Sequence, residues 1–202
     1  MRWLAAAALA LAPAALHAQQ DLPALYDVSG VAADDVLNIR AAPSASAPVM
    51  GALPPGRQGV EVVTLASGGS WGQVNSDEGS GWVAMRFMAL QPGQEGFAAP
   101  AACFGTEPFW SLTRDGTAWR FDAPDRETRD FVTTWQGMAA GRRDRQARGL
   151  RDAEGTGEAT AVIARGACSD GMSDRAYGLT LDLLIEGQGA ASYFTGCCTL
   201  ER

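Results

Sequence analysis

The side chains with the widest chemical reach in this 202-residue chain lie in its second half. Glu107, Asp170 and Asp174 sit inside two unusual motifs, GTEPFWS (105–111) and CSDGMSDRAY (168–177), together with Ser111, Ser169 and Ser173. Two carboxyl groups facing one bond are the machinery of glycoside cleavage, one acting as acid and the other as base or nucleophile. A serine or cysteine nucleophile needs a neighbouring base instead. The single histidine, His17, lies in the N-terminal apolar segment, and the chain has no lysine, so Ser–His and Cys–His hydrolysis is excluded beyond that segment. Only a carboxylate-based glycan hydrolase survives as an enzymatic alternative, and the expectation is a non-enzyme. Asp170 and Asp174 are expected to cap turns by accepting backbone N–H bonds. Trp110 beside Glu107 is a candidate ligand contact, although GTEPFW is expected to be a core motif with Phe109 and Trp110 buried.

The four cysteines are Cys103, Cys168, Cys197 and Cys198. Zinc sites use chelating pairs, whereas Cys197 and Cys198 are adjacent, and SDGMSD has fewer acids than a calcium loop. No metal and no cofactor is expected. An even count in an oxidising compartment points to two disulfides, for which three pairings exist. Bridging neighbours is disfavoured because adjacent Cα atoms are about 3.8 Å apart, below the usual disulfide span of about 4.4–6.8 Å. Neighbours on a strand point to opposite faces, so two bridges would leave the last strand in opposite directions. Cys103–Cys197 with Cys168–Cys198 is the preferred pairing, and the crossed alternative stays open.

Residues 1–18, MRWLAAAALALAPAALHA, combine an early arginine, an apolar run and a small residue before Gln19, the pattern of a secretory signal peptide. A periplasmic or secreted location follows. No other stretch is long and apolar enough to expect a membrane span. Leaving out Arg2, 15 basic residues face 23 acidic ones, a formal charge of 15 − 23 = −8. Nucleic acid and anionic membrane surfaces, which need a basic footprint, are therefore excluded as partners.

Positioning these residues falls to short strands. LYDVSGV, VLNIRA, VMGAL, GVEVVTLA, WGQVN and GWVAM are separated by Gly, Pro and Ser clusters, which predicts a small β barrel over 24–90. Residues 91–102, QPGQEGFAAPAA, have the composition of a linker. Over 103–202, FWSLTR and TAWRFDA flank a hairpin signal at Asp115-Gly116, FVTTW leans to strand, and GEATAVIARGA, YGLTLDLLIEG and AASYFTGCC read as further strands. The run 141–146 reads as an exposed loop or short helix, and the charges of Arg142–Arg151 as a solvated face. The fold class is all-β, a small SH3-like barrel followed by a mostly antiparallel disulfide-bonded β domain.

The run LNIRAAPS (37–44) with VMGAL, VEV, WGQV and GWV at their spacings resembles the bacterial SH3 family over residues 24–90. That resemblance implies a binding module, commonly for peptidoglycan or an envelope protein or peptide. Its candidate ligand contacts are Trp71, Trp82 and Tyr26, whose rings could stack on sugar or peptide, and Arg40, which could pair with a peptide carboxylate. For Trp71 and Trp82 the competing expectation is that they fill the barrel core. Residues 102–199, with C-x-GTEPFW, CSDGMSDR and the final GC, resemble an uncharacterised family of bacterial envelope proteins. Tyr177-Gly178 departs from that family's Tyr-Pro and reads as a minor turn change. A secreted, non-enzymatic envelope binding protein is the functional expectation. A wall-glycan hydrolase, or an inhibitor or assembly factor for an envelope enzyme, is the alternative. The sequence leaves the oligomeric state open.

Overall fold

In the computed structural model, residues 21–201 are described except 78, 95 and 188. The expected signal peptide lies outside the described residues.

Alternation of apolar and polar residues sets the first module. Ala24, Tyr26 and Val28 of β1 (Ala24–Val28) face inward while Leu25 and Asp27 do not. Leu37 and Ile39 repeat that pattern on β2 (Leu37–Arg40). Further strands are β3 (Val49–Leu53), β4 (Val60–Val62), β5 (Thr64–Leu65), β6 (Trp71–Ser76), β7 (Gly79–Ala84) and, after a single 3₁₀ turn at Met85–Phe87, β8 (Met88–Leu90). They form a three-stranded sheet, β4-β1-β8, and a five-stranded sheet, β3-β2-β7-β6-β5, closed around one apolar core. Gly81 is required where β7 crosses β2, since a Cβ there would lie 2.5 Å from Ile39 Cγ2 and 3.0 Å from the Arg40 carbonyl oxygen.

The second module is a closed antiparallel barrel of eight strands. Its strands are β9 (Ala102–Thr106), β10 (Phe109–Asp115), β11 (Ala118–Asp122), β12 (Arg129–Met138), β13 (Arg145–Asp152), β14 (Gly157–Cys168), β15 (Tyr177–Gly187) and β16 (Ala190–Thr199). Neighbours in sequence are neighbours in the barrel, and β9 closes it by pairing with both β10 and β16. Closure leaves no free sheet edge. Inside pack Trp110, Leu112, Trp119, Phe121, Phe131, Leu150, Ile163, Leu179, Leu181, Leu183 and Phe194. Gly116, at φ 59°, opens the β10–β11 turn, and Asp115 pairs with Ala118 instead of entering the turn.

Several sequence expectations change. Of the run 141–146, residues 141–144 form the expected loop and strand β13 begins at Arg145; Arg148 on it is only 7% exposed, so the charge run is not a uniformly solvated face. Leu150 faces the core and Arg148, two residues away, shares its side. Gly178 lies within β15, not in a turn, and a Cβ there would meet Pro23 Cδ at 2.9 Å. The disulfides are Cys103–Cys198 and Cys168–Cys197, the crossed pairing. Register explains this: Cys198 stands directly opposite Cys103 across the β16–β9 ladder, within the core, whereas Cys197 pairs with Phe104. The adjacent cysteines are thereby bridged toward opposite sides of their strand.

The modules touch through specific polar bonds. Asn75 of β6 and the Ala176 backbone exchange two hydrogen bonds of 2.9 Å. Leu25 of β1, with Phe97 and Ala98 of the connecting segment, packs against the barrel core.

Candidate functional site

Two grooves collect half of the ligand candidates singled out from the sequence, Arg40 and Trp71 in one and Glu107 and Asp170 in the other. The first, about 440 Å³, lies on the five-stranded sheet of the first module. Arg40 reaches it from the end of β2, where a register shift between Ile39 and Arg40 breaks the ladder with β3. Its Nη1 donates to the Ala47 carbonyl at 2.8 Å, which fixes the guanidinium at the rim. Trp71, the first residue of β6, supplies a half-buried ring. Arg86 and Phe87 arrive from the 3₁₀ turn, with the Arg86 guanidinium 4.5 Å from the Phe87 ring centre. Guanidinium forks match carboxylates, and aromatic faces accept flat or apolar groups. The groove therefore offers both to one ligand.

The other two candidates on this module do not line it. Tyr26 is a core residue because it shares the inward side of β1 with Ala24 and Val28, and burial pushes its phenol above the ordinary value. Trp82 pairs with Arg40 and Gln73 across the ladder, half-buried but outside the groove lining. Neither Trp71 nor Trp82 fills the core. Arg86 and Phe87 were not foreseen, since nothing in MRFM announces a 3₁₀ turn that aims them at Trp71.

The second groove, about 940 Å³, runs on the barrel's outside and includes Phe104, Glu107, Phe109, Asp170, Met172 and Asp182. Trp110 lies beneath it, buried, and the two glycines Gly105 and Gly196 let the ring pack under the groove floor. Phe109, expected in the core, is 54% exposed on the groove instead. Strand alternation separates the two rings: Trp110 points in, so Phe109 points out.

Glu107 and Asp170 share this groove, whereas Asp174 is exposed and does not line it. Asp170 is a turn cap. It accepts from the N–H groups of Met172 (3.0 Å) and Ser173 (2.9 Å) and from the Ser173 hydroxyl (2.7 Å). Burial raises its pKa, but the bonds from Ser173, Met172 and Tyr177 outweigh that and hold it below the ordinary carboxylate value. A carboxyl group held ionised is a poor proton donor. Among the described residues, no cluster of three or more His, Cys, Asp or Glu side chains could hold a metal ion, and no helix is long and apolar enough to cross a membrane.

Residues 35–89 match the family model described as bacterial SH3 domain. That stretch contains Asn38, Arg40, Trp71, Arg86 and Phe87 of the first groove. Neither the curated proteins nor the solved structures contain a match to the chain.

Proposed function

We propose that this is a non-enzymatic, extracytoplasmic binding protein whose bacterial SH3 module holds peptidoglycan, or a peptide segment of an envelope protein, in the groove of Arg40, Trp71, Arg86 and Phe87. The carrying observation is the convergence of two guanidinium groups and two aromatic rings within the family-matched stretch. Stem peptides carry free carboxylates for the arginines and apolar groups for the rings. Two disulfides and no free cysteine among the described residues support an oxidising compartment. The resemblance of residues 102–199 to bacterial envelope proteins agrees with that location. Asp170, committed to its turn, favours the non-enzymatic reading over a carboxylate hydrolase.

Sedimentation of the full chain with purified wall sacculi tests the reading. Wild type is expected to co-sediment, and Trp71→Ala combined with Arg86→Gln to lose most retention while keeping the wild-type melting temperature. Equal retention of the double variant would rule out this groove. Failure of wild type to bind sacculi, with recovery of one envelope protein on the immobilised chain, would assign the groove to a protein partner.

A further inference from the structure

One mouth of the barrel is built differently from the rest of its interior. Beside the β10–β11 turn, a cavity of about 470 Å³ is lined by Arg114, Arg148, Thr117, Thr133, Gln136 and Gln146, with Phe97 of the connecting segment as one wall. Gln136 and Arg148 are directly paired across β12 and β13, and Gln146 follows on the same side of β13. Polar side chains thus continue a row that deeper in the barrel carries Leu150.

Arg148 is the unusual member. Its side chain is more than nine-tenths buried, and its Nε has no hydrogen-bond partner among the described residues. One Nη donates to Gln146 Oε1 at 2.7 Å, and the guanidinium lies 5.7 Å from the Trp119 ring centre. Among the described residues, no carboxylate is within ion-pair distance of it, in a chain where 23 acidic residues outnumber 16 basic ones. The opposite treatment of a buried charge occurs in the same strand: Asp152, also buried, is met by Arg129 at 2.8 Å. A buried charge is normally paired because leaving it uncompensated is costly.

Arg114 lines the same cavity. Its Nε donates to the Pro100 carbonyl at 2.8 Å and its Nη1 to the Gly116 carbonyl at 3.2 Å, which positions the guanidinium at the rim. Burial, followed by the charge of Arg114, pushes the Arg148 guanidinium below the ordinary arginine value. A buried guanidinium with no carboxylate partner among the described residues, facing a space lined by amides and hydroxyls, forms a receptor for negative charge.

We propose that this cavity binds an oxyanion, the carboxylate or phosphate group of a small molecule, with the Arg148 guanidinium as its cation and Gln136 and the threonine hydroxyls completing the shell. A volume of about 470 Å³ holds a small organic anion, and Phe97 provides an apolar contact for its remainder. The site is separate from the SH3-module groove and does not depend on its function.

The test is a titration of the full chain with sodium benzoate and, separately, sodium phosphate, at ionic strength held constant with chloride. The readout is the Arg148 Nε–Hε resonance, assigned through bonds in the wild type. A saturable shift with either probe is expected, and the probe that produces it distinguishes a carboxylate ligand from a phosphate one. Thermal stabilisation by that probe should need at least about tenfold more of it in Arg148→Lys, which keeps the charge but loses the fork. No shift with either probe, an equal shift with chloride alone, or unchanged affinity in a folded Arg148→Lys variant would overturn the assignment. Should Arg148→Lys fail to fold, the wild-type resonance still decides.

Discussion

Glu61 of the first module accepts a hydrogen bond from the Leu200 N–H at 3.0 Å, and the same oxygen, Oε2, accepts one from the Thr199 hydroxyl at the end of β16. Glu61 is 1% exposed, and its other oxygen is buried with no hydrogen-bond partner among the described residues. The module junction therefore contains a carboxyl group whose burial favours its uncharged form.

Burial, opposed in part by the Thr199 and Leu200 bonds, raises the Glu61 pKa to about 7. Its ordinary value is 4.5, so the folded protein holds the proton more tightly than the unfolded chain. The stabilisation is fully present below pH 4.5 and is lost as pH rises through about 7. Wild type should lose on the order of 3 kcal/mol between those limits. Glu61→Gln, uncharged at every pH, should flatten that slope. Urea unfolding from pH 4.5 to 8 checks this, and an unchanged slope in the variant would remove Glu61 as its source.

Asp170 predicts a slope of opposite sign. Because its pKa is held below the ordinary value, its stabilisation is present above the unfolded value and lost as pH falls through the folded one. Asp170→Ala leaves the Met172 and Ser173 N–H groups without their acceptor and should cost about 1–3 kcal/mol at neutral pH. The variant should also lose less stability on acidification than wild type. Denaturant midpoints at pH 7 and pH 3 make the comparison.

The two disulfides should contribute unequally. Cys103–Cys198 spans 95 residues and joins the strands that close the barrel, whereas Cys168–Cys197 spans 29. Loop-entropy arguments give about 4.7 kcal/mol for the first and about 3.6 kcal/mol for the second. Replacing Cys103 and Cys198 with serine should lower the denaturation midpoint more than the same change at Cys168 and Cys197. The reverse order would mean that the outer bridge holds the Asp170 turn against the barrel more strongly than chain entropy implies.

The strands were legible because their periodicity is local. YGLTLDLLIEG alternates apart from Leu184, with Leu179, Leu181, Leu183 and Ile185 inward, and Tyr26 between Ala24 and Val28 carries the same signal, although the sequence also makes its ring a candidate ligand contact. The disulfide pairing depends on which face of β16 meets β9, a register that adjacent cysteines do not encode. Arg86 needed the 3₁₀ turn, and Arg148 needed a strand in which an inward position carries a charge, against the usual exposure of arginine. The bacterial SH3 motifs contained Arg40 and Trp71 of the first groove, whereas Arg86 and Phe87 came from a turn outside those motifs.

Two glycines make a matched test of how the barrel is packed. A Cβ on Gly196 would lie 2.0 Å from the Phe104 carbonyl oxygen and 2.8 Å from the buried Trp110 ring. Neither neighbour can yield without moving β9 or the core, so Gly196→Ala should destabilise by about 1–3 kcal/mol, the range of overpacked cores. A Cβ on Gly149 would lie 1.9 Å from Trp135 Nε1, a nominally worse clash. Trp135 is 53% exposed and lies over Gly149 from the directly paired position on β12, so its ring can swing into solvent. Gly149→Ala loses that cover but regains the strand preference that glycine lacks, about 0.5–1 kcal/mol, leaving a change near zero. Thermal unfolding ranks the two, and tryptophan emission should shift to the red in Gly149→Ala as Trp135 leaves the sheet. Equal destabilisation by both would mean that Trp135, despite its exposure, is held as firmly as the core.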